Sequence, residues 1–271
     1  MSRNTSVLLV GCGRMGGALV EGWRASGLNM DNFWIVEPHE KTRCQLQHTN
    51  VVSSPIELDK DFLPKIVIFS IKPQIIERVI KDYYRFSHES VFLSLVAGKQ
   101  IDWFTKRLGS TTAIVRAMPN IAALVRRGIT VACGNAALDS DSYAFCTKLL
   151  EAVGAVAWIQ EEQLLDAVTA VSGSGPAYVF LLTESLAQAG HAAGLPADLA
   201  EYLARVTVAG AGELLYRSVD SATALRQHVT SPGGTTAEAL AVLMDAQNGL
   251  EFILTRAVAA ATTRSRELRR V

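Results

Sequence analysis

Eight residues, Val229-Thr230-Ser231-Pro232-Gly233-Gly234-Thr235-Thr236, bring hydroxyl groups and two glycines to the start of a helical run, Ala237 to Leu243. Thr235 with Glu238 three residues later has the capping-box spacing, so Thr235 is expected as the N-cap and the Thr236 hydroxyl is left over. Pro232 restrains the approach, while Gly233 and Gly234 allow backbone conformations barred to other residues and a close approach to a ligand. Unpartnered N–H groups and the positive end of the helix dipole make such a turn able to hold an anion. Taken alone, the pattern is more simply a capped helix after a glycine-rich loop. The rest of the chain raises the anion reading.

A second group stands near the N-terminus, Gly11-Cys12-Gly13-Arg14-Met15-Gly16, between the apolar run Ser6–Val10 and a helical stretch through Trp23. This is G-x-G-x-x-G at a strand-to-helix turn. Gly11 makes the turn, Gly13 lets backbone approach a pyrophosphate, and Gly16 lets the helix pack on the strand. Arg14 either lies over the phosphates or is solvated. The next strand, Phe33-Trp34-Ile35-Val36, ends at Glu37, and an acid about 20 residues beyond the glycines commonly bonds the adenosine ribose hydroxyls. Its charge opposes a 2′-phosphate, partly offset by Lys41 and Arg43, so Glu37 leans the choice towards NAD over NADP.

These groups need a frame. Ile66 to Ile71 and Val91 to Val96 read as buried strands, stopped by Lys72-Pro73 and Ala97-Gly98, with an amphipathic helix (Ile75, Ile76, Val79, Ile80, Tyr83) between them. Ligands of an open parallel sheet lie beyond the carboxyl ends of its strands, which is where Lys72 and Ala97 fall. Ala113–Arg116, Gly128–Ala132 and Ala155–Ile159 add strands, with a helix over Tyr143–Val153. Alternating strands and helices give a doubly wound α/β domain over residues 1–160. Beyond Gln160 only helices follow, over 161–271. Glu161–Val171 is the first, interrupted by Ser172-Gly173-Ser174-Gly175-Pro176; then come Ala177–Ala193, Ala197–Tyr216 and Asn248–Arg270.

The totals agree with a well-buried globular chain: 271 residues, 49% hydrophobic and 19% charged. Basic and acidic residues balance at 26 each, which points away from nucleic acid. The basic tail Arg264, Arg266, Arg269, Arg270 is better read as cations favoured at a helix C-terminus. Cys12, Cys44, Cys133 and Cys146 form no CxxC pair and no metal-ligand cluster, so free thiols in a cytoplasmic protein and no metal are expected. The run Val7–Val10 is too short for a signal peptide core or a membrane span, and no membrane partner is expected. The second-half helices are apolar around much of their circumference, and Gly210 and Gly212 fit a close helix crossing. An intimate homodimer through that half is expected.

With these residues in view, the chain resembles pyrroline-5-carboxylate reductase over essentially its whole length. The segments are GCGRMGGALVEG (11–22), SIKPQ (70–74), SLVAGKQI (94–101), RAMPNIAALV (116–125), VSGSGPAYVFLLTES (171–185) and LRQHVTSPGGTTAEAL (225–240). The last is the most specific. The resemblance implies reduction of the cyclic imine 1-pyrroline-5-carboxylate to L-proline by NADPH or NADH, the last step of proline synthesis. It also implies a Rossmann domain followed by a helical dimerisation and substrate-binding domain, with dimers that assemble further in some members. By position, Ser231, Gly233, Gly234 and Thr235 would surround the substrate carboxylate, and Thr236 would hydrogen-bond the ring nitrogen. Gly11, Cys12, Gly13, Arg14, Met15, Ser70, Ile71, Lys72, Pro73, Leu95, Val96, Ala97 and Asn120 would line the cofactor. Two departures stand out. Glu37-Pro38 replaces the Asn-Arg of many bacterial members, and His228 stands where relatives often have Asn, Asp or Gln, as a surface histidine or a proton donor through water. A β-hydroxyacid dehydrogenase would need a lysine after the Gly173-Ser174-Gly175 run, and none is there.

Overall fold

A computed structural model describes residues 6–46 and 50–269; Arg270 of the basic tail lies outside them. The apolar runs pair into a sheet because each is too short and too β-branched to bury itself as a helix. In chain order the strands are β1 (Val7–Val10), β2 (Phe33–Val36), β3 (Val51–Val52), β4 (Ile66–Phe69), β5 (Val91–Ser94), β6 (Ile114–Met118), β7 (Gly128–Gly134) and β8 (Gly154–Trp158). Their order across the sheet is β3-β2-β1-β4-β5-β6-β7-β8. All neighbours run parallel except β6 and β7, which are antiparallel. The doubly wound expectation therefore holds through β6, and one reversal follows it.

Alternate residues of β1 serve the two faces, as a pleat requires. Val7 and Leu9 pack with Ile35, Leu19, Trp23 and Leu149. Leu8 and Val10 pack with Phe69, Ile76, Tyr83, Phe92 and Phe104 on the other side. The first layer is built by α1 (Arg14–Ala25) and α5 (Ser140–Glu151), joined by the Trp23 indole N–H donating to the Leu149 carbonyl at 2.9 Å. After the short α2 (Glu40–Gln45), the opposite layer is built by α3 (Pro73–Val79), its 3-10 continuation Ile80–Phe86, and α4 (Ile101–Leu108). Ile76, Ile80 and Tyr83 are buried there, whereas Ile75 is exposed.

The residues after Gln160 are helical, but the Ser-Gly run does not interrupt them as a loop. A 3-10 turn, Glu162–Leu164, leads into α6 (Leu165–Val168), then a π-helical segment, Thr169–Gly173, and α7 (Gly175–Ala192). There follow α8 (Ala197–Arg217), α9 (Ala222–His228), α10 (Thr235–Leu243) and α11 (Leu250–Leu268). The chain forms two compact units, Met1–Gly173 with Thr262–Val271, and Ser174–Ala261. Composition changes at residue 160, but Leu165, Asp166 and Ala170 are buried, with Leu165 packed against Val131 and Cys133 of β7. The first turns of the helical half thus belong to the sheet unit.

In the second unit α7 and α8 form a hairpin. Gly194, at φ 102°, makes the turn, and Gly190 lies close enough that a Cβ would stand 3.4 Å from that of Ala200. Ala200 and Ala204 are buried, while Phe180, Leu181, Tyr202, Leu214 and Tyr216 are each 60% or more exposed. Among the described residues, no atom outside the helix's own backbone and the neighbouring residues comes within 4 Å of a Cβ placed on Gly210 or Gly212, so no close crossing at these glycines is made among them.

Candidate active site

The glycine loop sits at the sheet's switch point, where β1 is flanked by β2 and β4. Gly11 has φ 87°, and a Cβ there would stand 2.3 Å from Ile71 Cγ2 and 2.8 Å from the Ser70 carbonyl oxygen. Only glycine fits this turn. Gly16 lies so near that its Cβ would meet the Gly11 carbonyl oxygen at 2.4 Å, which brings α1 down onto the loop. Gly13, the N-cap of α1, faces open space: among the described residues no atom beyond its chain neighbours lies within 4 Å of a Cβ built there. That is the geometry for a phosphate group on helix N–H donors. Arg14 is exposed beside it, and Met15 is half-buried.

Glu37 is 4% exposed and already engaged. Oε2 accepts the Cys12 N–H at 2.8 Å and Oε1 accepts the His39 N–H at 2.9 Å. The Arg43 guanidinium donates to the carbonyls of Glu37 and Pro38, at 3.0 and 2.6 Å, so it braces the strand end and not the carboxylate. Each carboxylate oxygen can accept more than one bond, which leaves capacity for sugar hydroxyls. Burial, with the Glu37 and Glu21 charges adding to it, pushes the Cys12 thiol up to about 11.

The other expected cofactor residues fall on the same edge. Ser70 continues β4, its N–H donating to Val10 at 2.9 Å, and half-buried Ile71 leads to exposed Lys72, the N-cap of α3, with Pro73 at its first position. Leu95 donates to Phe69 at 2.9 Å, and Ser94 Oγ accepts the Val96 N–H at 3.2 Å, tightening the turn that exposes Ala97. Asn120 follows β6, and its side-chain oxygen accepts the Ile129 N–H of β7 at 3.3 Å. Ile71 and Ser70 touch the glycine loop directly; Leu95 to Ala97 and Asn120 are aligned with it through the strand register. Arg116, buried in β6, pairs with part-buried Glu162 at 2.8 Å; a charge inside an apolar strand was the sequence signal for this pair, which was not among the expected site residues. Among the described residues no group of His, Cys, Asp and Glu is placed to hold a metal ion.

The Ser231–Thr236 loop lies in the second unit. The Gly234 N–H donates to the Ser231 carbonyl at 3.0 Å and Gly233 has φ 68°, the arrangement of a type II turn with Pro232 in its preferred place. One expectation is corrected. The N-cap of α10 is Gly234, and Thr235 is the first helical residue. The Gly234 carbonyl accepts from Ala237 at 3.0 Å and Glu238 at 3.3 Å, so Glu238 falls one residue past the capping-box position. Thr235 is therefore not the cap. Among the described residues neither the backbone N–H nor the hydroxyl of Thr235 or Thr236 has an acceptor or donor partner. Two N–H groups, two hydroxyls and a positive helix end are thus uncommitted, a stronger anion site than the capped reading allowed. His228 is exposed in the last turn of α9.

Comparison with known proteins gives two family models. Residues 162–268 match one described as pyrroline-5-carboxylate reductase dimerisation, and residues 6–98 match NADP oxidoreductase, coenzyme F420-dependent. A pyrroline-5-carboxylate reductase of Mycobacterium tuberculosis is 37% identical over 97% of this chain and 96% of its own length. One from Synechocystis is 38% identical over 86% of each. Among solved structures, a pyrroline-5-carboxylate reductase from Coxiella burnetii superposes with TM-score 0.90 at 31% identity, covering 98% of this chain and 99% of that one. The Plasmodium falciparum enzyme with NADP bound gives 0.82 at 30% identity, covering 98% of both.

Proposed function

The chain belongs to the pyrroline-5-carboxylate reductase family, and we propose that it reduces 1-pyrroline-5-carboxylate to L-proline with the residues described above in the following roles. The enzyme is a nicotinamide-dependent oxidoreductase. The observation that carries the assignment of roles is the pair of uncommitted N–H groups and hydroxyls at Thr235 and Thr236 behind the Ser231–Gly234 turn. Ser231, Gly233, Gly234 and Thr235 hold the substrate carboxylate, and the Thr236 hydroxyl hydrogen-bonds the ring nitrogen.

The residues of the first unit fit a dinucleotide. Gly13 opens on empty space, Gly11 and Gly16 permit the loop, and Glu37 is fixed in place by two backbone donors. Gly11, Cys12, Gly13, Arg14 and Met15 cradle the phosphates. Ser70, Ile71, Lys72, Pro73, Leu95, Val96, Ala97 and Asn120 line the remainder. When bound, the reduced nicotinamide supplies a hydride to the imine carbon. The π electrons of a protonated C=N bond then pass to nitrogen, which becomes the neutral amine of proline. Thr236 needs only to steady that nitrogen as its charge is lost. Rate comes mainly from orientation, with the carboxylate held by the Ser231–Thr235 loop and the cofactor by the residues of the first unit.

Two finer readings accompany this. The functional boundary lies near residue 160, with the cofactor domain over 1–160 and the substrate and dimerisation domain over 161–271. The exposed apolar faces of α7 and α8, and the open space at Gly210 and Gly212, suit a homodimer with the partner's helices crossing there. The assembly works in the cytoplasm. Loss of nicotinamide absorbance with pyrroline-5-carboxylate tests the activity. Thr236→Ala should lower kcat far more than Ser231→Ala, which should mainly raise the substrate KM. Equal small effects would refute these roles, and a clearly lower KM for NADPH than for NADH would refute the lean towards NAD.

A further inference from the structure

Two carboxylates four residues apart, Glu162 and Asp166, anchor what borders the turn after β5, Leu95 to Gln100: Glu162 the start of α4, and Asp166 the C-terminal residues. Glu162 Oε1 accepts the Ile101 N–H at 3.0 Å, capping α4 where Gln100 provides no side-chain cap, and the same oxygen takes Arg116 at 2.8 Å. Asp166, 1% exposed, accepts the Ser265 hydroxyl at 2.8 Å and pairs with Arg269 at 2.5 Å, with Arg266 farther off at 3.9 Å. Immediately before Arg269, the Leu268 carbonyl oxygen stands 3.2 Å from a Cβ placed on Gly98, whose φ is 77°. The C-terminal residues are thus fastened at a buried carboxylate, and their backbone lies against the turn that carries Val96 and Ala97. All of these contacts lie in the first unit.

We propose that Arg269, through its pair with Asp166, is a positioning residue for the Val96–Gly98 turn, and so for binding of the dinucleotide cofactor. A charge as deeply buried as Asp166 keeps its close partner in one place, because separation would leave it only the more distant and exposed Arg266 as counter-charge. The Leu268 backbone is thereby held beside Gly98, where it limits how far the turn can swing from the cofactor edge. This rests on the assignment of that turn to the cofactor.

The test uses the full chain and initial rates with NADH and NADPH. Arg269→Gln should raise the KM for the cofactor by about fivefold or more, with kcat at saturating cofactor within about twofold and the imine KM unchanged. Arg269→Lys, which keeps the charge, should recover most of the difference. A merely structural role would lower Tm and leave the cofactor KM alone, and that result would overturn the proposal. Should Arg269→Gln fail to fold, Ser265→Ala decides, since it removes one bond to Asp166 without stranding a charge. A raised cofactor KM then supports the latch, and an unchanged one overturns it. Ala97→Leu distinguishes a failure of the latch from a failure of the turn's assignment to the cofactor. If it leaves the cofactor KM unchanged, the assignment of the turn fails. If it raises that KM while Arg269→Gln does not, the latch alone fails.

Discussion

Alanine at Gly13 and at Gly16 should produce opposite signatures, because one position is empty and the other is filled. A Cβ on Gly16 would stand 2.4 Å from the Gly11 carbonyl oxygen and 3.2 Å from its carbon. Backbone cannot rotate out of the way as a side chain can, so α1 must lift from the loop by about 1 Å, and overpacking of this kind costs about 1–3 kcal/mol. At about 2–4 °C per kcal/mol for a domain of this size, a clear fall in Tm follows. The displaced loop also loses cofactor affinity. Gly13 has φ −69°, open to any residue, and among the described residues a Cβ there would meet nothing within 4 Å beyond its chain neighbours. Alanine is a clearly poorer N-cap than glycine, but the lower entropy it gives the unfolded chain offsets most of that loss, so stability should stay within about 0.5 kcal/mol. What the methyl group takes away is the approach to the pyrophosphate. Losing hydrogen bonds to a charged group amounts to about 1.5–3 kcal/mol, or roughly tenfold to a hundredfold in cofactor KM. Thermal melts and initial rates at varied NADH measure both quantities. A Gly13→Ala enzyme with the parent's cofactor KM, or with a Tm loss matching that of Gly16→Ala, would refute the reasoning.

Two further outcomes follow from burial and capping. Burial pushes the Cys12 thiol up to about 11 and Cys146 up to about 12 and raises Cys133, whereas Cys44 is exposed. A thiol reagent at pH 8 should therefore label one cysteine quickly and the remaining three only on unfolding; two or more fast equivalents would contradict this. Asp139 caps α5 by accepting the Ser142 N–H at 2.7 Å, and that bond, with the Ser142 side chain, holds its carboxyl below the usual carboxylate range. A depressed pKa gives stability that is present above the unfolded value and is lost as pH falls through the folded one. Asp139→Ala should cost about 1 kcal/mol at pH 7, with the gap to the parent closing below pH 4. A gap that stays constant down to pH 2 would show that the charge plays no part.

The strand, glycine turn and helix at the N-terminus were legible because each signal is local: an apolar run, glycines at fixed spacing, then helical periodicity. Strand direction is not local, and nothing in Gly128 to Gly134 announces that β7 runs against β6. The two-residue β3, Val51–Val52, is too short to carry any period. At α10 the pattern S/T-x-x-E was present but displaced by one residue, since the preceding glycine could take the cap conformation and the Ser231 turn favoured it. The Ser-Gly run at 172–175 composes like a loop, yet Thr169–Gly173 stays helical by widening to π geometry, with Gly173 packed where a Cβ would be 3.0 Å from Met118. Spacing identified Glu37 as the acid at the end of β2, but not that two backbone donors already hold it.

That double engagement makes cofactor preference hard to retune. In the proposed cofactor site, residue 37 is the position at which a cation or small polar side chain would be installed to welcome a 2′-phosphate. Removing the carboxylate would also take the acceptor from the Cys12 and His39 amides. A buried donor left without an acceptor is disfavoured by about 1–3 kcal/mol, and Cys12 is buried. A lineage, or an engineer, moving this enzyme from one dinucleotide to the other must therefore supply a substitute acceptor for the glycine loop in the same step. In the proposed roles, discrimination between the two dinucleotides at residue 37 and the shape of the glycine loop would be inherited as one trait.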